Sequence, residues 1–356
     1  MISLRNKEMA DRIMEKLRDL NLPLKIMHVC GTHQDTIVKY GIDEMLKKYG
    51  IELIEGPGCP VCVTTPSEIM KAITLAKEGY TVATFGDMMK VPAGGESLEK
   101  VRAEGGDIRI VYGIDDALKM AEEREVIFIG VGFETTAPST AVTILRRPKN
   151  FRVLSCHRYV PPALDALLGM GEIELDGIIC PGHVSAIIGM EPYKPLSEKY
   201  KIPQVIAGFE PLDVLLAVYM IARQVNEGRH EVENEYRRVV RDEGNRKAMK
   251  AVHAVFEPAP IKWRGFPVIP DSKMRIRGEF AEYDAERVYE DIIGDIGDIP
   301  EPPGCRCGEV LRGLVHPSEC PLFGKACVPS SPVGPCMVSY EGACSIEYKY
   351  RRDVIY

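Results

Sequence analysis

Apolar positions follow a steady rhythm through the first two-thirds of the chain. Short, nearly continuous apolar runs occur at 24–29 (LKIMHV), 51–56 (IELIEG), 80–86 (YTVATFG), 108–113 (IRIVYG), 126–132 (VIFIGVG), 151–156 (FRVLSC), 175–180 (LDGIIC) and 202–208 (IPQVIAG). Between them, 34–49, 67–79, 114–125, 139–145, 162–169, 185–200 and 211–228 read as helices. Continuous apolar strands alternating with helices predict parallel sheet covered on both faces. The helix at 67–79 carries a start signal, Ser67 with Glu68 in the first turn. A first helix over 4–20 places Leu4, Met9, Ile13, Leu17 and Leu20 on one stripe, which is expected to pack on a later domain.

The expected fold class is α/β: two parallel-sheet α/β units facing a cleft, plus a mixed, mostly helical and loop-rich C-terminal domain. The units are expected at 22–120 and 121–226. The third domain is expected at 227–356, with helix 1–21 packed on it. Residues 227–272 are charged and helical in part, then rich in proline, and the glycines of PAGGES (92–97) suggest a flexible loop. From about 298 the chain is dense in Pro, Gly and Cys and poor in apolar residues. Such a tail needs a staple, and a metal site supplies one.

Composition narrows the function classes. The 356 residues exceed one ordinary core, and 45% apolar with 27% charged is a usual soluble mix. The formal charge is -7 and no basic stripe stands out, which argues against a nucleic-acid partner. No run of eighteen apolar residues is present, so no membrane span is expected. The first twenty residues mix both charges and lack the apolar core of a signal peptide, so a cytoplasmic protein is expected.

Eleven cysteines then need a reason. A cytoplasmic chain of this size needs no disulfide framework, so clustered cysteines point to metal or redox chemistry. In parallel sheets ligands bind beyond the carboxyl ends of the strands. Those ends here read CGTH (30–33), GPGCPVC (56–62), GDM (86–88), GFETT (132–136), SCHRYVPP (155–162), CPGHVS (180–185) and GFEP (208–211). Cys30 and His33 therefore stand where a cleft is expected. Cys59 and Cys62 form a C-x-x-C, suited to a dithiol/disulfide couple or to two metal ligands. Cys156, Cys180 and His28 read as core residues, and His157 reads equally as core or site. His183 favours function.

Six further cysteines, 305, 307, 320, 327, 336 and 344, crowd the tail. Thiolates select zinc or iron–sulfur clusters. The tail has no C-x-x-C, which favours a [4Fe–4S] cluster over zinc. Cys305, Cys320, Cys327 and Cys344 are the preferred ligands, with Cys307 and Cys336 in reserve.

Together CGTHQDT, GPGCPVC, GFETTAPS, PGHVSAIIG, GFEP and CPLFGKACVPSSPVGPCMVSYEGAC resemble the HypD family of hydrogenase maturation factors, over nearly the whole chain. The pattern departs from the family at Gln34-Asp35. The resemblance implies a scaffold on which the Fe(CN)2CO group of [NiFe]-hydrogenase is assembled. It implies a small HypC-type chaperone, a HypE-type donor that carries cyanide as a thiocyanate, and a [4Fe–4S] cluster in the tail. On that footing Cys30 is expected as the iron ligand, its thiol acidified by the helix N-terminus beside it. His33 is expected as a second ligand or hydrogen-bonding partner. Cys59 and Cys62 are expected as the two-electron couple, recharged by the cluster. Glu134, His183 and Glu210 are expected to donate protons or orient substrate. The other class open to these motifs is an iron–sulfur-dependent thiol-disulfide oxidoreductase, which leaves Cys30 and His33 idle.

Overall fold

The computed structural model describes residues 6–355. Among them eleven strands form: β1 (Leu24–His28), β2 (Ile51–Glu55), β3 (Thr81–Thr84), β4 (Ile108–Ile110), β5 (Val126–Gly132), β6 (Phe151–His157), β7 (Gly177–Pro181), β8 (Gln204–Ala207), β9 (Val232–Asn234), β10 (Phe256–Lys262) and β11 (Val268–Ile276). Every apolar run of the first two-thirds lies on a strand, and helices lie between the strands.

Two parallel sheets result. One has the order β2-β1-β7-β8-β9 and the other β4-β3-β5-β6. The strands are therefore not shared out at residue 120 as expected. Strands β1 and β2 join the later β7, β8 and β9, while β3 and β4 join β5 and β6. A parallel strand reaches its neighbour through a crossover, so order along the chain does not fix order in the sheet. One continuous core spans both sheets, from Met27, Val29 and Ile178 to Ile127, Ile129 and Leu154.

Three further expectations are corrected. Helix Lys7–Leu20 buries Ile13 and Leu17 against Leu212, Leu215 and Val218 of helix Pro211–Asn226, not against 227–356; Leu4 lies outside the described residues. The segment read as helical and proline-rich also contains β9 and the antiparallel hairpin β10–β11. Pro258 and Pro260 hide that hairpin, and its register shifts between Ala259 and Ile261, where Pro260 has no N–H to give. Residues 92–97 form a tight turn rather than a loose loop. Ala93 and Glu96 exchange two 2.9 Å backbone bonds around Gly94 and Gly95, whose φ values of 56° and 84° suit glycine.

The tail from 298 to 342 has no helix longer than four residues, and then helix Ala343–Ile355 packs on helix Gly31–Tyr40. No described helix is long and apolar enough to cross a membrane.

Candidate functional site

After β1 the chain still pairs, with the Val29 N–H donating to the Ile179 carbonyl at 3.2 Å. Cys30 then takes the N-cap position of helix Gly31–Tyr40, with extended φ and ψ of -156° and 128°. The helix thus starts three residues earlier than the expected Gln34. Two glycines lock this corner to other segments. A Cβ on Gly58 would fall inside the backbone of Cys30, and one on Gly31 would collide with Glu341. Only hydrogen at these positions lets the C-x-x-C loop and the tail both touch the Cys30 turn.

Cys59 is the N-cap of the short helix Pro60–Val63, and Pro60 fits the first helical position. The Cys62 N–H donates to Cys59 Sγ at 3.1 Å, and the two sulfurs are joined in a disulfide. Both residues are fully buried. Cys62 Sγ lies 4.0 Å from the Pro335 carbonyl oxygen. The next residue, Cys336, donates its N–H to Cys307 Sγ at 3.3 Å. Direct contacts therefore run from the disulfide into the tail thiols.

Cys305, Cys307, Cys320, Cys327 and Cys344 line one small cavity, with Phe323 and Met337 among its walls. The four cysteines preferred from spacing are all there, and Cys307 joins them. The Cys344 thiol is pushed well up by burial and then by Cys307, Cys327, Cys320 and Cys305. Burial also raises Cys327. Thiols crowded this way resist ionising together unless a cation shares their space. Among the described residues no three His, Cys, Asp or Glu converge on a position for a single metal ion. A thiol-only donor set around one closed cavity fits a cluster, whose irons each take a separate sulfur.

The surroundings of Cys30 overturn one expectation. Its thiol is not acidified: burial and then Glu341 push it up to about 12, against the opposing pull of the His33 and Thr32 amides. A short helix N-terminus does not outweigh the desolvation of a thiolate. Two carboxylates stand nearby: Asp87, from the GDM strand end, and Glu341, which the sequence did not single out. The Glu341 N–H donates to Ser339 Oγ at 3.2 Å, and Ser339 Oγ donates to Asp87 Oδ2 at 3.4 Å. Burial, then Asp87, lifts the Glu341 carboxyl to about 6. The close approach at Gly31 is visible only in the structure, and nothing in the sequence names Glu341 as its neighbour.

His33 is fully buried one turn into the helix. Its Nε2 is 2.9 Å from the Gly208 carbonyl and 3.3 Å from that of Ala207, so Nε2 carries the hydrogen. Nδ1 is left with its lone pair and no partner. Burial holds the ring neutral, with its pKa lowered to about 4. Phe209 lies between two imidazoles, its ring centroid 4.9 Å from His33 and 4.0 Å from His183. His183 is exposed on the outer side of that stack.

Glu134 follows β5 and is buried, with Oε1 accepting the Val160 N–H at 3.0 Å and Oε2 unpartnered. Burial lifts its carboxyl to about 8, so it holds a proton at neutral pH. Burial, and then Cys180, pushes the Tyr193 phenol well up, and its hydroxyl lies 3.1 Å from Ser185 Oγ. Glu210 instead caps helix Pro211–Asn226 in a capping box with Asp213, its N–H donating to Asp213 Oδ2 at 3.0 Å. His157 bonds Thr140 Oγ1 at 3.0 Å inside the core, and Cys156 and Cys180 are buried there too.

A HypD family profile, described as the hydrogenase formation hypA family, matches residues 5–351. The chain is 44% identical to the hydrogenase maturation factor HypD of Cupriavidus necator, covering 98% of this chain and 96% of that protein. It is 45% identical to the hydrogenase expression/formation protein HupD of Azotobacter chroococcum, over 92% of this chain and 90% of the relative. The HypD of Rhizobium leguminosarum is 42% identical, over 98% and 94% respectively. The chain belongs to the HypD family of hydrogenase maturation factors.

Proposed function

We propose that this HypD-family chain is the cytoplasmic scaffold on which cyanide and carbonyl ligands are gathered around a cargo iron, with Cys30 as its thiolate ligand. The observation that carries the reading is the interlock at Cys30. Gly58 places the C-x-x-C against its backbone, and Gly31 admits Glu341 of the tail. Low-spin iron bearing cyanide is soft and suits a thiolate. The iron's own charge offsets the burial that keeps the thiol protonated. The free lone pair on His33 Nδ1 serves as a second ligand or as an acceptor beside the iron.

A HypC-type chaperone shares the iron, and a HypE-type partner brings cyanide as a protein thiocyanate. The dithiol of Cys59 and Cys62 reduces it. Two thiols and one thiocyanate give the Cys59–Cys62 disulfide, the partner's free thiol and hydrogen cyanide. Two electrons leave the dithiol, and its two protons end on the partner's sulfur and on cyanide. The structure holds the oxidised end of that couple. A [4Fe–4S] cluster held by four of the five cavity cysteines would supply single electrons to restore the dithiol. Cys305, Cys320, Cys327 and Cys344 are our assigned ligands, with Cys307 beside them. Glu134 stores a proton at neutral pH, and His183 offers an exposed imidazole at the stack's edge. Glu210 serves as a helix cap.

The oxidoreductase alternative gives no role to Cys30 and His33, although the C-x-x-C loop and the tail both close on the turn that carries them. Cys59→Ser is the test. It should keep the visible absorption of the tail and the bound chaperone but load no cyanide on iron. Normal cyanide loading by that variant would remove the redox role.

A further inference from the structure

Glu55, the last residue of β2, is only 8% exposed, and neither of its carboxylate oxygens has a hydrogen-bond partner. Glu347, on helix Ala343–Ile355, is 1% exposed and its Oε2 is likewise unpartnered. Its Oε1 is shared by Arg351 at 3.3 Å, Gln34 at 3.5 Å and His316 at 3.5 Å. Both glutamates line one cavity between the edge of the five-stranded sheet and tail residues 310–319. Asp43, Glu52, Glu172 and Glu319 line it too.

The cations around this cavity are engaged by its other carboxylates, and Arg351 and His316 reach only Oε1 of Glu347. Arg351 pairs with Asp43 at 2.6 Å, Lys25 with Glu52 at 3.4 Å and Arg312 with Glu172 at 2.5 Å. No described cation pairs with Glu55. Burial, then Glu347 and Glu341, pushes its carboxyl well above the usual range. That is the condition of a negative site without its counter-charge. Two states relieve it: a proton on Glu55, or a cation in the cavity. The proton relieves Glu55 alone and leaves Oε2 of Glu347 bare. A cation between them satisfies oxygens on both.

We propose that Glu55 and Glu347 hold a hydrated divalent cation of the Mg2+, Mn2+ or Fe2+ class, clamping the sheet edge to the cysteine-bearing tail. The donors are oxygens, which select hard cations over the soft metals that thiols take. Ions of this class often keep several waters and use only one or two carboxylates. Two protein ligands therefore suffice, in keeping with the lack of any three-residue site among the described residues. The placement gives the ion a structural reach. Glu55 lies four residues before Cys59, and Glu347 lies three residues after Cys344. One clamp thus ties the roots of both cysteine motifs together, in a cavity separate from the thiol-lined one.

The test uses the full chain, prepared without air and freed of loose metals by mild chelation, with Mn2+ as probe. Electron paramagnetic resonance of free Mn2+ should show one ion taken up per chain. Mg2+ and, without air, Fe2+ should displace it, which ranks the members of the class. Glu55→Gln and Glu347→Gln should each weaken binding by roughly tenfold or more, while Glu52→Gln, at the exposed rim, should bind as wild type does. Circular dichroism checks that the variants are folded. If they are not, the wild-type chain still decides: Mn2+ should raise its melting temperature at micromolar concentration. No Mn2+ uptake by the wild type would overturn the proposal. So would binding unchanged in a folded Glu55→Gln. So would a carboxylic-acid carbonyl stretch that Glu55→Gln abolishes and Mn2+ leaves in place.

Discussion

The parallel sheets and the cysteine-bearing tail hold together by different physics. In the sheets, β5 is buried along all seven residues, and its neighbours bring Ile, Val, Leu and Phe as the bulk of the packing. The reactive residues stand at strand ends, where Cys59 and Cys62 join the margin of that core. Residues 298–342 contain no helix longer than four residues, and their interior is lined largely by thiols. In the tail the groups that pack are the groups that react. Damage to packing and damage to function are therefore more easily separated in the sheets than in the tail.

The strongest way to break that distinction is to exchange serine for two cavity thiols. Cys320→Ser with Cys327→Ser should abolish the visible absorption and open the chain to protease between 298 and 342, with the far-ultraviolet dichroism of the sheets retained. Ile129→Ala is the converse. That residue is 1% exposed, and its truncation should cost about 2–5 kcal/mol across the whole fold. The folded fraction should keep its absorption. A double-serine variant as protease-resistant as wild type would show that the tail needs no staple.

A smaller effect sharpens the same comparison from the sheet side. Glu134 has its pKa raised to about 8 by burial, while an unfolded glutamate titrates near 4.5. Between those values the unfolded chain binds fewer protons than the folded one, so stability falls as pH rises. Glu134→Gln keeps an acceptor for the Val160 N–H and removes the cost of ionisation. It should stabilise the protein by an amount on the order of 2 kcal/mol at pH 8 and much less at pH 5. Calorimetry at the two pH values reads this directly, and equal gains at both would contradict it.

Much of the sheet body was legible in the sequence, because a strand buried on both faces must be apolar throughout. The run from Val126 to Gly132 could be little else. The pairing of the strands was not legible, because a crossover helix leaves no trace of which edge its next strand joins. The hairpin at 256–276 was hidden by its prolines, and β9 by its three residues in a charged stretch. At the site, Cys30, His33, Cys59 and Cys62 stood out through residue type and position at strand ends. The acid character of Cys30 was misjudged because a helix N-terminus can be read from sequence and the depth of burial cannot. Glu341 was missed because its contact with Gly31 joins residues 310 positions apart. Glu210 also caps helix Pro211–Asn226, a role that Asp213 three residues later announced.

The central claim is that Cys30 holds a cargo iron bearing cyanide and carbonyl ligands. Infrared spectroscopy of the complex with the small chaperone, purified without air, tests it most directly, because protein is silent where those ligands absorb. Wild type should show cyanide and carbonyl stretches, and Cys30→Ala should show none while keeping its tail absorption and its partner. Stretches that persist in Cys30→Ala, or that are absent from a wild-type complex with tail and partner intact, would contradict the account.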